Sequence, residues 1–294
     1  MSVLQEKVDN LYGKVFSEVN KKSFEISTLW LSIIGFFIHL FLIYAKKFSL
    51  LNLPVESGLL DNPISAIYTP FTIILIYEIY LLVLNLPRSF TTSVSKQFEI
   101  ISLILIRRIF ADIPKIDLEA DWLTTASNVQ LIYDVLGVLI MYYLIYLFNK
   151  SRLKLDKKPM TPSISRFVSS KKAVSIILLV ILIIISFTSA INWIQEISNN
   201  NFTTDINSIF YNDFFSVLIL ADVLILLLSF QYTERYSQIV RNTGFIICTI
   251  LIRLSFGVTG LTNIILIISS VIFGLLILSI YNLIEISAKE KIKR

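Results

Sequence analysis

The sequence predicts an all-α membrane protein: eight transmembrane helices arranged as two parallel four-helix repeats, preceded by an amphipathic amino-terminal helix. Three observations carry that prediction. Apolar and aromatic residues make up 55% of the 294 residues and charged residues only 16%, against about 45–50% and about 25% in soluble domains. Eight apolar segments punctuate the chain, and the stretches between them alternate between basic and acidic. A ten-residue stretch in the first half returns, arginine included, in the second.

Residues 1–28 place Leu4, Val8, Leu11 and Val15 on one helical stripe, with Glu6, Lys7, Asp9, Lys14 and Glu18 around the rest. This pattern describes a cytoplasmic amphipathic helix that lies on the inner leaflet or pairs with another chain. Its charges interrupt the apolar residues too often for a signal peptide. A first four-helix repeat covers residues 29–148, with segments Leu29–Ala45, Ile64–Leu86, Phe98–Ala111 and Val129–Phe148. A basic cytoplasmic linker fills 149–172. The second repeat covers 173–288, with segments Ala173–Trp193, Phe214–Phe230, Gly244–Phe256 and Leu261–Ile286, and a basic tail closes the chain at 289–294. Crossing about 30 Å of hydrocarbon takes about 20 helical residues. The third and seventh segments are short and polar, which puts them inside their bundles, sheltered by neighbours. Pro70 is expected to bend the second helix and free a carbonyl.

Charge sets the orientation. The linker holds Lys150, Arg152, Lys154, Lys157, Lys158, Arg166, Lys171 and Lys172 against Asp156 alone, and the tail adds Lys289, Lys291, Lys293 and Arg294. Asn192–Asp213 has no lysine or arginine, and Asp112, Asp117, Glu119 and Asp121 follow the third segment. Basic loops stay in the cytoplasm. Eight crossings with both termini inside satisfy every stretch, in a plasma membrane or a bacterial inner membrane. The excess of positive charge, +5 overall, then reads as solvated residues facing anionic lipid headgroups. Nucleic acid is not an expected partner, because the basic linker lacks interleaved aromatics.

The halves match where the chemistry is unusual. Ile101–Phe110 (ISLILIRRIF) and Ile247–Phe256 (ICTILIRLSF) agree at six of ten positions, among them Arg107 with Arg253. The preceding segments each carry one mid-helix acid, Glu78 and Asp222, lying 29 and 31 residues before those arginines. The last segment of each half holds a similar tetrapeptide, Gly137–Ile140 and Gly274–Ile277. A charge at mid-bilayer costs about 2.5–3.5 kcal/mol on insertion scales, so it seeks a partner. Glu78 is therefore expected to meet Arg107, and Asp222 to meet Arg253. With Glu99, Arg108 and Asp134 these residues form the candidate intramembrane charge network.

The stretch Ile73–Glu78 and then Lys96–Ile101, across a short cytoplasmic turn, resembles the middle of a voltage-sensor domain. The resemblance implies that Glu78 and Glu99 form a pocket for basic residues in a four-helix unit. In the second half Asp222 and Arg241–Asn242 keep part of that pattern, while Phe245 stands where the second acid belongs. The fourth and eighth segments lack the arginine ladder, so the resemblance implies a four-helix bundle with Arg107 and Arg253 as fixed partners, not voltage gating.

Little points to catalysis. Cys248 is the single cysteine and His39 the single histidine, which removes disulfide frameworks and cysteine-based zinc sites. His39, alone on an apolar helix, is expected to hydrogen-bond a neighbour. Metalloprotease spacing and nucleotide-binding glycine loops are absent, and no cofactor, metal or enzymatic activity is expected. The acidic stretch Asp112–Asp121 reads as a solvated loop. With no GxxxG spacing, glycine-mediated dimerisation is not expected, although a homo-oligomer or larger complex is compatible with the sequence. Two functions fit: passage or sensing of a small ion through the charged grooves, or a non-catalytic anchor that recruits cytoplasmic partners.

Overall fold

The computed structural model of the chain describes residues 3–49, 60, 62–116, 121–154, 162–198, 206–233, 235–258 and 260–293. Among them every regular element is helical. The amino-terminal segment is two helices, α1 (Val3–Val15) and α2 (Glu18–Lys47), and not the single helix over 1–28 that the stripe suggests. Ser17 makes the break: its backbone is extended and its side chain accepts from Asn20 N–H at 3.2 Å, the geometry of a helix start.

Phe16, beside that break, turns into the protein and packs against Tyr12 and Tyr80, with ring centroids 4.6 and 5.7 Å away. Tyr12 Oη donates to Leu84 O at 3.0 Å, while Asp9 accepts from Ser169 and pairs with Lys172 at 2.9 Å. The docking face of α1 is thus Asp9, Tyr12 and Val15, continued by Phe16, and Leu11 of the expected stripe stays exposed. One face of the helix is held by its own chain, through Asp9 and Tyr12.

A 3-10 helix (Pro63–Ile67), capped by Asn62, leads into α3 (Tyr68–Asn85). Pro70 falls in the first turn of α3, where its missing N–H removes no bond of that helix. The expected bend therefore has no cause there. Pro87 follows the end of α3, and Ser89 starts α4 (Phe90–Asp112) by accepting from Thr92 N–H at 3.4 Å. That cap carries the helix through polar residues that an apolar window leaves out. The remaining helices are α5 (Ala126–Arg152), α6 (Pro162–Ser198), α7 (Ile206–Phe230), α8 (Tyr236–Ser255) and α9 (Gly260–Lys293). Both described ends of the basic linker are helical, and 155–161 lie outside the described residues. Gly260 has φ +71, a conformation glycine adopts without the Cβ penalty, and its N–H donates to Gln130 Oε1 at 2.8 Å.

Packing runs in two parallel series: α2 on α3, α3 on α4 and α4 on α5, then α6 on α7, α7 on α8 and α8 on α9. The two series join where α5 meets α9, α4 meets α8, and α3 meets α6. Phe98, Phe148 and Phe245 fill the centre of that junction, with successive ring centroids 5.2 and 5.9 Å apart. Gly244 lets α9 close on α8. A Cβ there would stand 2.9–3.1 Å from three side-chain carbons of Ile277. Gly244→Ala is therefore expected to destabilise by about 1–3 kcal/mol through overpacking, measured as a lower Tm of the purified protein in detergent. Adding Ile277→Ala should return most of the loss, and an unchanged Tm in the single variant would contradict the close approach.

Six helical stretches are long and apolar enough to cross a bilayer: those centred on α2, α3, α5, α6, α7 and α9. Large apolar side chains stand exposed along them, among them Phe37, Phe41, Leu139, Tyr143, Ile184 and Phe187, more outward apolar surface than a soluble monomer carries. The chain is a polytopic membrane protein. Of the eight crossings expected, α4 and α8 do not meet the same standard. Lys96, Glu99, Arg107, Arg108 and Asp112 lie on the first and Arg241 and Arg253 on the second.

Candidate functional site

The buried charges of α3, α4, α7 and α8 form two similar constellations. In the first, Arg107 Nε lies 3.2 Å from Glu78 Oε2, and Arg107 Nη1 donates to Phe71 O at 3.0 Å. In the second, Arg253 Nη1 lies 2.5 Å from Asp222 Oδ2 and donates to Leu218 O at 3.0 Å. Both pairs are almost wholly buried. Each is flanked by a stacked pair of phenylalanines: Phe71 on Phe110 at 4.8 Å, and Phe215 on Phe256 at 5.0 Å. In each half the first ring stands seven residues before the acid and the second three residues after the arginine. Both arginines also take a backbone carbonyl one or two turns before the acid, so each guanidinium spans a carboxylate and a helix backbone.

The second constellation has more partners. Thr249 Oγ1 donates to Asp222 Oδ2 at 2.7 Å, and Arg253 Nη2 reaches out of its own helix series to Gln97 Oε1 on α4 at 2.9 Å. Beside it, a small cavity between the two series is lined by Ser93, Gln97, Lys171, Asp222 and Thr249 together with Leu86, just after α3, and apolar residues of α4, α7 and α8. About 10 Å³ of it is open to the centre of a water molecule, room for a single water-sized occupant.

Lys171 departs from the sequence reading. As part of the basic linker it belongs with the solvated, headgroup-facing lysines, yet it is only 2% exposed. Its ammonium donates to Arg88 O and lies over the rings of Phe90 and Phe167, at 4.8 and 5.3 Å. Because α6 begins well before the apolar segment, the helix carries Lys171 into the junction. The clue in the sequence is Phe167, one helical turn earlier, which puts an aromatic on the same face.

Glu99 does not join the Glu78 pocket. Its neighbours are Lys96, 2.5 Å away on the same face of α4, and Asn149 Nδ2 at 3.2 Å. The i,i+3 spacing brings Lys96 to Glu99, while Arg107 stands two turns further along. Arg108 and Asp134 form a third ion pair: Arg108 Nε donates to Asp134 Oδ2 at 2.9 Å, and Nη2 donates to both Asp134 Oδ1 and Asn263 Oδ1. Gln130 completes it by donating to Asp134 at 2.9 Å. This network ties α4 and α5 to α9 and has no counterpart in the repeat pattern, where Leu254 matches Arg108. His39 Nδ1 lies 2.6 Å from Thr69 Oγ1, a neighbouring hydrogen-bond partner of the kind a lone helix histidine needs. Asp117 and Glu119 of the acidic stretch lie outside the described residues.

No protein-family model matches the chain, and neither does any curated protein or solved structure.

Proposed function

We propose that this chain moves a small ion across a cell membrane along the polar seam between two parallel four-helix repeats. The observation that supports it is the reach of Arg253 across that seam to Gln97, beside a cavity lined by Asp222 and Lys171. Ionisable side chains within a bilayer are expensive and are expected where a pathway needs them. In this reading α4 and α8 are the third and seventh crossings. With 23 and 20 residues at about 1.5 Å each, they match the thickness of the hydrocarbon core. The matched constellations of acid, arginine and stacked phenylalanines support a duplication, with both termini in the cytoplasm of a plasma membrane or bacterial inner membrane. Arg107 and Arg253 are fixed partners in it, as the likeness to a voltage-sensor bundle without its ladder implies.

The test is flux in liposomes under several ion gradients and voltages, comparing the native chain with Gln97→Leu. That substitution spares both acid–arginine pairs and removes one charge-assisted hydrogen bond, so about 1.5 kcal/mol of barrier and about tenfold slower flux are expected. A second reading, a non-catalytic anchor or assembly subunit, is favoured by a different observation. Glu78, Asp134 and Asp222 each hold an arginine, so their charges are mutually satisfied. Absence of flux under every gradient and voltage would leave the anchor as the function.

A further inference from the structure

We infer that the cavity between the two helix series is a binding site for a small monovalent anion of halide size, with Lys171 as its cation. The inference rests on the transport reading only in naming the ion; the binding site stands on charge and geometry. Lys171 and Arg253 are both nearly inaccessible, at 2% and 4% exposure, and Asp222, at 1%, is the carboxylate that lines the cavity with Lys171. Asp222 is committed to Arg253 and Thr249. Among the described residues no carboxylate lies within ion-pair distance of Lys171.

With Lys171 protonated, the cluster carries one positive charge in excess inside the bundle. A buried charge without a counter-charge is strongly disfavoured. The Arg88 carbonyl takes one of the three N–H donors of Lys171, and the rings of Phe90 and Phe167 supply polarisable faces without net charge. An anion beside Lys171 removes the excess, and the Ser93 hydroxyl and the second amide N–H of Gln97 around the cavity offer it donors, the Thr249 hydroxyl being given to Asp222. The cavity's size selects a single compact ion over a carboxylate or a phosphate. The first constellation has no such excess, since Glu78 and Arg107 balance one to one.

Thermal unfolding of the purified chain in non-ionic detergent tests this, with sodium chloride against sodium gluconate at equal ionic strength. Chloride is expected to raise Tm by a few degrees along a saturating curve, bromide to do the same, and gluconate to do neither. Lys171→Met should lose the chloride response and Lys171→Arg should keep part of it. Equal Tm values in chloride and gluconate for the native chain, indicating a water-filled cavity, would overturn the site, as would a response that survives in Lys171→Met. Should that variant fail to fold, Ser93→Ala decides: it removes a hydroxyl from the cavity lining without altering any charge and should weaken the chloride response, and an unchanged response overturns the site. Binding and flux are read separately. A chloride response without flux keeps the site and removes the transport reading, whereas flux without a chloride response does the reverse.

Discussion

Asp222→Asn is expected to lower the unfolding free energy by about 3–5 kcal/mol, because it leaves the Arg253 guanidinium buried without its counter-charge. Arg253 would keep the Leu218 and Gln97 oxygens, but two neutral acceptors do not offset a full charge away from water. Replacing both members, Asp222→Leu with Arg253→Met, should recover most of the loss, since apolar side chains of similar volume often substitute for a buried pair at little cost. Denaturant titration of the purified protein in mixed micelles measures both. A single variant as stable as the native chain would mean that the pair contributes no net stability, and a double variant no better than the single would mean that the side chains matter for shape and not for charge.

The parts of this site that were legible in the sequence are those that local spacing dictates. An acid in mid-segment, followed about thirty residues later by an arginine within a shared ten-residue pattern, places two opposite charges on adjacent antiparallel helices at similar depth. The bilayer then leaves them little choice of partner. Glu78 with Arg107 and Asp222 with Arg253 follow from that alone. The helical fold and the sheltering of the polar third and seventh segments were legible for the same reason, since apolar content and crossing length are one-dimensional quantities.

What was not legible depends on how distant helices meet. The Lys171 side chain reads as a topology signal because lysines near a crossing usually are. Its burial follows from α6 starting at Pro162 and leaning against the α3–α4 turn. Arg108 finds Asn263 and Arg253 finds Gln97 across more than a hundred residues of chain, and no periodicity within one helix records such a contact. Glu99 pairs with Lys96, one turn away on α4, where the resemblance implies a more distant partner. The stripe on α1 captured only part of the docking face: Val15 packs against the core, while the aromatic rings of Tyr12 and Phe16 add the contacts that an aliphatic pattern leaves out.

Glu78→Gln is expected to destabilise by about 3 kcal/mol, at the lower end of the range for a broken buried pair and below the loss from Asp222→Asn. Both variants strand an arginine, so the difference comes from what else the carboxylate holds. Asp222 accepts from Thr249 as well as Arg253, whereas the residue of α4 that matches Thr249 is Leu103, which points outward and is 48% exposed. Glu78 Oε2 has no hydrogen-bond partner among the described residues, its contact with Arg107 Nε being electrostatic, so less directional bonding is lost with its charge. The comparison needs both variants in one denaturation series under one detergent. A Glu78→Gln loss equal to or larger than that of Asp222→Asn would mean that Thr249 and the reach to Gln97 add nothing to the second pair, and that depth in the bundle alone sets the energy of each.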